Sequence, residues 1–142
     1  MNDMKRQLKK AYRMEMMGTG LYKSLANRYG GRDAELAEQF SRFSRDEYMH
    51  GKLFAKHFIK VYGKKIRGER FWILTGRSMA FLMQYRGLEK TVKKLSAIEH
   101  RAARQIERDL PFCTDPGLKR ILAAILPDEK THAGLYRKWF SA

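Results

Sequence analysis

Two short stretches of the chain carry the same pattern, and this pattern decides the fold. They are Asp46-Glu47-Tyr48-Met49-His50-Gly51-Lys52-Leu53-Phe54 and Asp128-Glu129-Lys130-Thr131-His132-Ala133-Gly134-Leu135-Tyr136. In both, a histidine follows the glutamate by three residues, and a leucine and an aromatic residue follow it by six and seven. Residues i and i+3 share one face of a helix. Each stretch therefore predicts a helix that directs one carboxylate and one imidazole at the same point.

Two further glutamates lie among apolar or small neighbours on predicted helices. Glu15 stands between Met14 and Met16, and Glu99 follows Ile98. A carboxylate on a core-facing stripe needs a positive partner, because burying an unpaired charge is costly. Carboxylates that bridge two metals offset their charge, and such a centre needs both Glu-x-x-His pairs and two more acids. The predicted metal ligands are Glu15, Glu47, His50, Glu99, Glu129 and His132; for Glu15 or Glu99 alone, an ordinary surface acid is the alternative.

Hydrophobic periodicity extends the two stretches into a chain of helices. Long helices are predicted over residues 3–27, 33–62, 87–111 and 117–140, and a short aromatic helix over 71–85. Asp33 is the predicted N-cap of the second helix. Pro127 should kink the last helix or begin a new segment just before Glu129, because proline lacks the N–H donor. The sequence predicts an all-α, single-domain bundle over 1–142, with a short crossing helix between the second and third long helices.

Three polar residues are candidates for supporting roles at the predicted centre. Tyr22 follows Glu15 by seven residues, two turns along the same face, so it is a candidate redox or hydrogen-bonding residue in catalysis. A plain core tyrosine is the equal alternative. Asp46 and Asp128 precede the motif glutamates and are candidates to accept the second N–H of the ligand histidines. Helix capping or solvent exposure is the alternative for both aspartates.

The composition of the chain bears on its cellular compartment and on its binding partners. The chain has one cysteine, Cys113, so it forms no internal disulfide, and this favours a reducing, cytoplasmic compartment. The polar start argues against a signal peptide, and no apolar run is long enough to span a bilayer. The net charge of +15 would attract phosphate backbones or anionic lipid surfaces, although a solvated cationic surface explains it equally well.

The order Glu, Glu-x-x-His, Glu, Glu-x-x-His resembles the ferritin-like superfamily of di-iron carboxylate proteins over nearly the whole chain. This resemblance implies a ferritin-like four-helix bundle that binds two iron ions, with manganese or a mixed iron and manganese pair as alternatives. The rubrerythrin-like branch is similar at Glu15, Tyr22 and the first Glu-x-x-His motif. The chain lacks the rubredoxin module of that branch, so the resemblance implies an external electron donor.

A second branch, the demethoxyubiquinone hydroxylase family, is also similar. Its members are membrane-peripheral enzymes that hydroxylate a quinone ring, and the match lies in the long connection from His50 to Glu99. The chain departs from that family at 12–14, where Tyr-Arg-Met replaces an Asp-His-Ala-Gly run, and at Ile106, where a tyrosine is usual. The aromatic segment 71–83, with its neighbouring arginines, suits an anionic membrane surface. A helix packed on the bundle core is the alternative reading of that segment.

Three hypotheses of function follow. The first is a di-iron oxidase or monooxygenase that activates O2 or peroxide and acts on a small, lipophilic, quinone-like substrate. It would be located in the cytoplasm or on the inner face of a membrane. The second is iron oxidation or peroxide scavenging, and the third is a cationic helical binding module without catalysis. Nucleic acid is not expected as a partner, and a homodimer is left open.

Overall fold

The computed structural model describes residues 2–141, with the side chain of Asn2 left aside, and every regular element in that range is helical. The helices are α1 (Asn2–Tyr29), α2 (Ala34–Tyr62), α3 (Glu69–Met83), α4 (Leu88–Asp109), α5 (Pro116–Ala133) and α6 (Leu135–Phe140). Short 3₁₀ turns, Gln84–Arg86 and Leu110–Phe112, stand before and after α4. The predicted all-α chain is confirmed, including the short helix between the second and third long ones.

The described residues form two compact units that divide between Leu82 and Met83. Helices α1, α2 and α3 up to Leu82 belong to the first unit, and α4 to α6 belong to the second. No helix within residues 2–141 has the length and apolar character needed to span a bilayer. The single domain over 1–142 stays a prediction.

In the first unit, α1 and α2 form a pair joined by a short turn. The predicted cap is confirmed, because the Asp33 carboxylate accepts a hydrogen bond from the Leu36 N–H at 3.0 Å. At the other end of α2, Gly63 adopts φ 65°, a left-handed conformation that favours glycine, and its N–H donates to Ile59 O at 2.8 Å. Large side chains fill the core of this pair: Leu8, Met16, Tyr22, Leu25, Phe40, Phe43 and Phe58.

Helix α3 lies against α1 at a point where neither helix has a side chain. A Cβ placed on Gly20 would fall on the carbonyl oxygen of Ile73 and stand 3.1 Å from the Ile73 Cα. A Cβ on Gly76 would fall on the carbonyl oxygen of Met17 and stand 3.0 Å from the Leu21 nitrogen. The backbones of α1 and α3 therefore touch, and glycine is required at both positions for this approach.

Replacing Gly76 with alanine is expected to destabilise the protein by about 1–3 kcal/mol, because the new methyl group would meet backbone atoms that cannot rotate away. Urea unfolding followed by helical circular dichroism measures this. Gly31→Ala is the matched control, because its Cβ would meet nothing within 4 Å. Equal stability of the two variants would contradict the close approach of α3 to α1.

In the second unit, α4 packs against α5 and α6. Asp115 caps α5, since its carboxylate accepts from the Leu118 N–H at 2.6 Å, and Pro116 occupies the first turn, where a missing N–H costs nothing. The Thr91 hydroxyl donates to Met83 O at 3.1 Å and Gly87 O at 2.8 Å, which fixes the start of α4.

The last predicted helix, 117–140, is two helices, and the break is not at Pro127. Helix α5 continues through Pro127 to Ala133, so a new segment at the proline is wrong; the bend before Glu129 stays a prediction. Proline removes only one donor, and the turns on either side keep theirs. The chain breaks instead at Gly134, whose N–H is shared between Lys130 O at 3.1 Å and Thr131 O at 3.2 Å.

Candidate metal centre

The first unit brings three of the predicted ligands together. Glu15 projects from α1, and Glu47 and His50 project from successive turns of α2. One donor atom from each lies within 4.8 Å of the donor atoms of the other two. The distance from His50 Nδ1 to Glu15 Oε2 is 3.6 Å. We call this group the first triad.

The three side chains of the first triad are largely buried, and this affects their charges. Glu47 is 5% exposed and His50 is 3% exposed, and Glu15 is also largely covered. Two carboxylates held this close in a low-dielectric setting repel each other, and a cation bound beside them relieves this repulsion. A divalent metal ion is such a cation.

Glycine makes the space for one of these carboxylates. A Cβ on Gly18 would fall on Oε2 of Glu47 and stand 2.9 Å from its Cδ. Gly18 follows Glu15 by three residues, so it lies on the same face of α1 one turn away. The sequence prediction missed Gly18; the signal was a glycine inside a long helix, where it costs about 1 kcal/mol relative to alanine.

A hydrogen-bonded link fixes α1 against α2 beside the triad. The Ser44 hydroxyl donates to the carbonyl oxygen of Thr19 at 2.8 Å, and the Thr19 hydroxyl donates to the carbonyl oxygen of Glu15 at 2.9 Å. Both side chains are buried. Because Ser44 precedes Glu47 by one turn, this link sets the register in which the two glutamates meet. Periodicity alone gave no signal for it.

The second unit repeats the arrangement. Glu99 projects from α4, and Glu129 and His132 project from α5, with donor atoms within 4.8 Å of one another. The exposed fractions are 8% for Glu99, 3% for Glu129 and 1% for His132. We call this group the second triad. Each triad thus takes one glutamate from one helix and a Glu-x-x-His pair from the next.

Contacts around the second triad hold α5 and α6 on α4. Ser96 precedes Glu99 by three residues, and its hydroxyl accepts a hydrogen bond from the Tyr136 N–H at 2.9 Å. On the outer face, Lys130 and Glu107 form an ion pair at 2.6 Å. The hydrogen bond from Lys130 holds the pKa of the Glu107 carboxyl below its usual value. The lysine next to Glu129 is therefore engaged outside the triad.

The predicted supporting residues lie outside the two triads. Tyr22 is 1% exposed and packs edge-on against Phe43, with ring centroids 5.4 Å apart, and against Phe40 at 6.2 Å. Asp46 and Asp128 are half-buried. The catalytic role of Tyr22 and the orienting role of the two aspartates stay predictions, as does the ligand set itself.

A polar cluster that the sequence prediction missed anchors the start of α3. Glu69 accepts hydrogen bonds from Lys52 at 2.6 Å, from Tyr48 at 3.3 Å and from Tyr12 at 3.5 Å. The hydrogen bond to Glu69 raises the pKa of Lys52 to about 12. Burial, and then the charge of Glu69, raise the pKa of Tyr12 above its usual value. The cluster keeps the first residue of α3 on α1 and α2, one turn from the first triad.

The donor chemistry fits iron or manganese. Each triad offers two carboxylates and one imidazole, and borderline divalent metals bind these groups well. Zinc sites with sulfur ligands are excluded here, because Cys113 belongs to neither triad. The residues that could hold metal are the six of the two triads.

A helical chain with carboxylate and histidine triads of this kind defines a class, the ferritin-like di-iron carboxylate proteins. The family model described as Rubrerythrin matches residues 7–140, and the chain belongs to this family. Its fold is accordingly a ferritin-like helical bundle. The searches of curated proteins and of solved structures found no match. The predicted resemblance is confirmed, and the family model is that of the rubrerythrin branch.

Proposed function

We propose that this protein is a non-haem di-iron oxidoreductase that reduces peroxide with electrons from an external donor. The observation that carries the proposal is the pair of triads, each with two carboxylates and an imidazole. The family supports the coarser statement, a di-iron protein with an oxidase or peroxide-related role. Peroxide as the oxidant, rather than O2, is the finer step that the experiment below tests.

In this proposal the six residues of the two triads hold two divalent metal ions. Four carboxylates carry four negative charges, which balance two divalent ions, and this balance suits a buried location. Glu15, Glu47, Glu99 and Glu129 would hold the metals together with the two imidazoles. Bound iron would supply the electrons that cleave an O–O bond, which the carboxylates and imidazoles of the two triads cannot supply. Manganese or a mixed pair remains the alternative.

The other residues act on the ligands and on water. The low exposure of both triads keeps bulk water away from the reacting atoms and strengthens the electrostatic interactions there. We propose that Asp46 and Asp128 orient the histidines and that Tyr22 donates a hydrogen bond or an electron near the centre. The aromatic packing of Tyr22 against Phe43 and Phe40 would hold its ring in one orientation.

Anaerobic stopped-flow mixing tests the choice of oxidant. Protein loaded with ferrous ions is mixed with hydrogen peroxide or with oxygenated buffer, and iron oxidation is followed by absorbance. We expect peroxide to react faster and to be consumed at about one molecule for each pair of ferrous ions, since it accepts two electrons. Faster reaction with O2 would favour iron oxidation or an oxidase instead. No reaction with either would count against both.

A second candidate is the hydroxylation of a lipophilic, quinone-like substrate, favoured by the exposed apolar residues of α3. A membrane-associated fraction of the protein and altered quinone pools on deletion would support it. A protein found wholly in the soluble fraction, with unchanged quinone pools, would count strongly against it. For either candidate we propose a cytoplasmic location, because Cys113 is a free thiol and the centre needs a supply of electrons.

A further inference from the structure

The outer face of α3 is apolar although it faces solvent. Phe71 is 61% exposed, Leu74 56%, Phe81 60% and Leu82 66%. The spacing of Phe71, Leu74 and Phe81 places them on one side of the helix. Soluble monomers rarely leave so many large apolar side chains together in water, so this face is expected to have a partner.

A basic groove lies beside this face, between α1 and α3. Its volume is about 390 Å³, and its lining includes Ser24, Arg28, Leu74, Arg77, Ser78 and Phe81. Among the described residues that line it, none is acidic. The groove is preformed, because the glycine contacts at Gly20 and Gly76 hold the two helix backbones together on one side of it.

The chemistry of the groove matches a phosphate. Arginine guanidinium groups bind phosphate oxygens through paired N–H donors, and serine hydroxyls add further donors. Leu74 and Phe81 line the same groove and belong to the exposed apolar face, so charge and apolar surface are adjacent. A ligand that satisfies both has an anionic head and an apolar body.

We propose that the groove between α1 and α3 binds the phosphate headgroup of an anionic lipid, with the outer face of α3 against the acyl chains of a membrane surface. A second copy of the chain is a poorer occupant. A symmetric pair would bring Arg28 and Arg77 of both copies into one interface, where like charges repel each other. This inference is independent of the metal centre.

Vesicle co-sedimentation tests the proposal with the full chain. The probes are vesicles of phosphatidylglycerol with phosphatidylcholine and vesicles of phosphatidylcholine alone. We expect binding to the anionic vesicles only. Arg28→Gln with Arg77→Gln should weaken it at least about tenfold, since each basic residue near the surface contributes to the attraction. Phe81→Gln with Leu82→Gln should also weaken binding, without any change in charge.

The matched control is Arg101→Gln with Arg104→Gln, which removes the same charge from a basic surface of α4. That surface has a depression of about 590 Å³, and the described residues that line it are all polar: Arg101, Arg104, Gln105, Glu107 and Arg108. We expect the control to bind nearly as well as wild type. Equal weakening in both double variants would mean unspecific charge attraction and would overturn the proposal.

Two other outcomes would also overturn it. Binding of inorganic phosphate in the groove, without binding to vesicles, would assign the site to a free anion. A lipid-free dimer, seen by sedimentation equilibrium and lost in the Phe81 and Leu82 variant, would assign the apolar face to a second copy. Metal content is measured on every variant and should not change. Failure of the lipid site is thus separate from failure of the proposed function.

Discussion

Glu129→Ala is expected to lose its metal, or to retain half of it, where wild type expressed with iron and manganese holds about two ions per chain. Glu129 is 3% exposed and belongs to the second triad. Its replacement by alanine removes a buried carboxylate from the predicted ligand set. Metal analysis of the purified protein measures the content. Helical circular dichroism confirms that the variant is folded.

Two further variants make this measurement decisive. Glu107→Ala removes an exposed glutamate on α4 that pairs with Lys130, and it should leave the metal content unchanged. Glu47→Ala removes a ligand of the first triad. We expect either ligand variant to bind less metal than wild type. A metal-free wild type would refute the catalytic proposal and would leave the cationic binding module as the remaining hypothesis.

Gly18→Ala is expected to weaken metal binding by about 10–100-fold, the range seen when the partners that orient metal ligands are removed. The new methyl group would take the place of the Glu47 Oε2 atom. That atom is the end of a flexible side chain, so the carboxylate can move while the helices stay. The metal-free variant should be as stable as wild type or up to about 1 kcal/mol more stable, because alanine favours a helix over glycine.

Titration of the metal-free protein with manganese or ferrous ions measures the affinity, and urea unfolding measures the stability. Gly31→Ala, a change in open space at a turn, should alter neither affinity nor the fold. The opposite signs of the two effects are the diagnostic result for Gly18. Unchanged affinity together with lower stability would mean that Gly18 serves packing rather than the carboxylate.

Much of the fold follows from local signals in the sequence. Hydrophobic periodicity predicts the helix order and the short helix before α4. The Asp33 cap follows from the preference of aspartate for the N-cap position. The duplicated Glu-x-x-His motif works in the same way, because its spacing acts within a single helix. Interactions between residues near in sequence are therefore the part that could be predicted.

What could not be predicted depends on contacts distant in sequence. Gly20 and Gly76 are explained only when α3 lies on α1, and Glu69 only when it meets Tyr12 and Lys52. The sequence predicts a kink or a new segment at Pro127, whereas the helix continues on both sides of this proline and ends before Gly134. Tertiary packing decides which side chains fill a given space, and hydrophobic periodicity carries no information about that packing.

Each compact unit carries one triad, built from a glutamate on one helix and a Glu-x-x-His pair on the next. A helical hairpin of this kind, associated with an identical copy through a twofold axis, would present the same ligand types in the same numbers. Duplication and fusion of one ancestral hairpin would then produce the order found here.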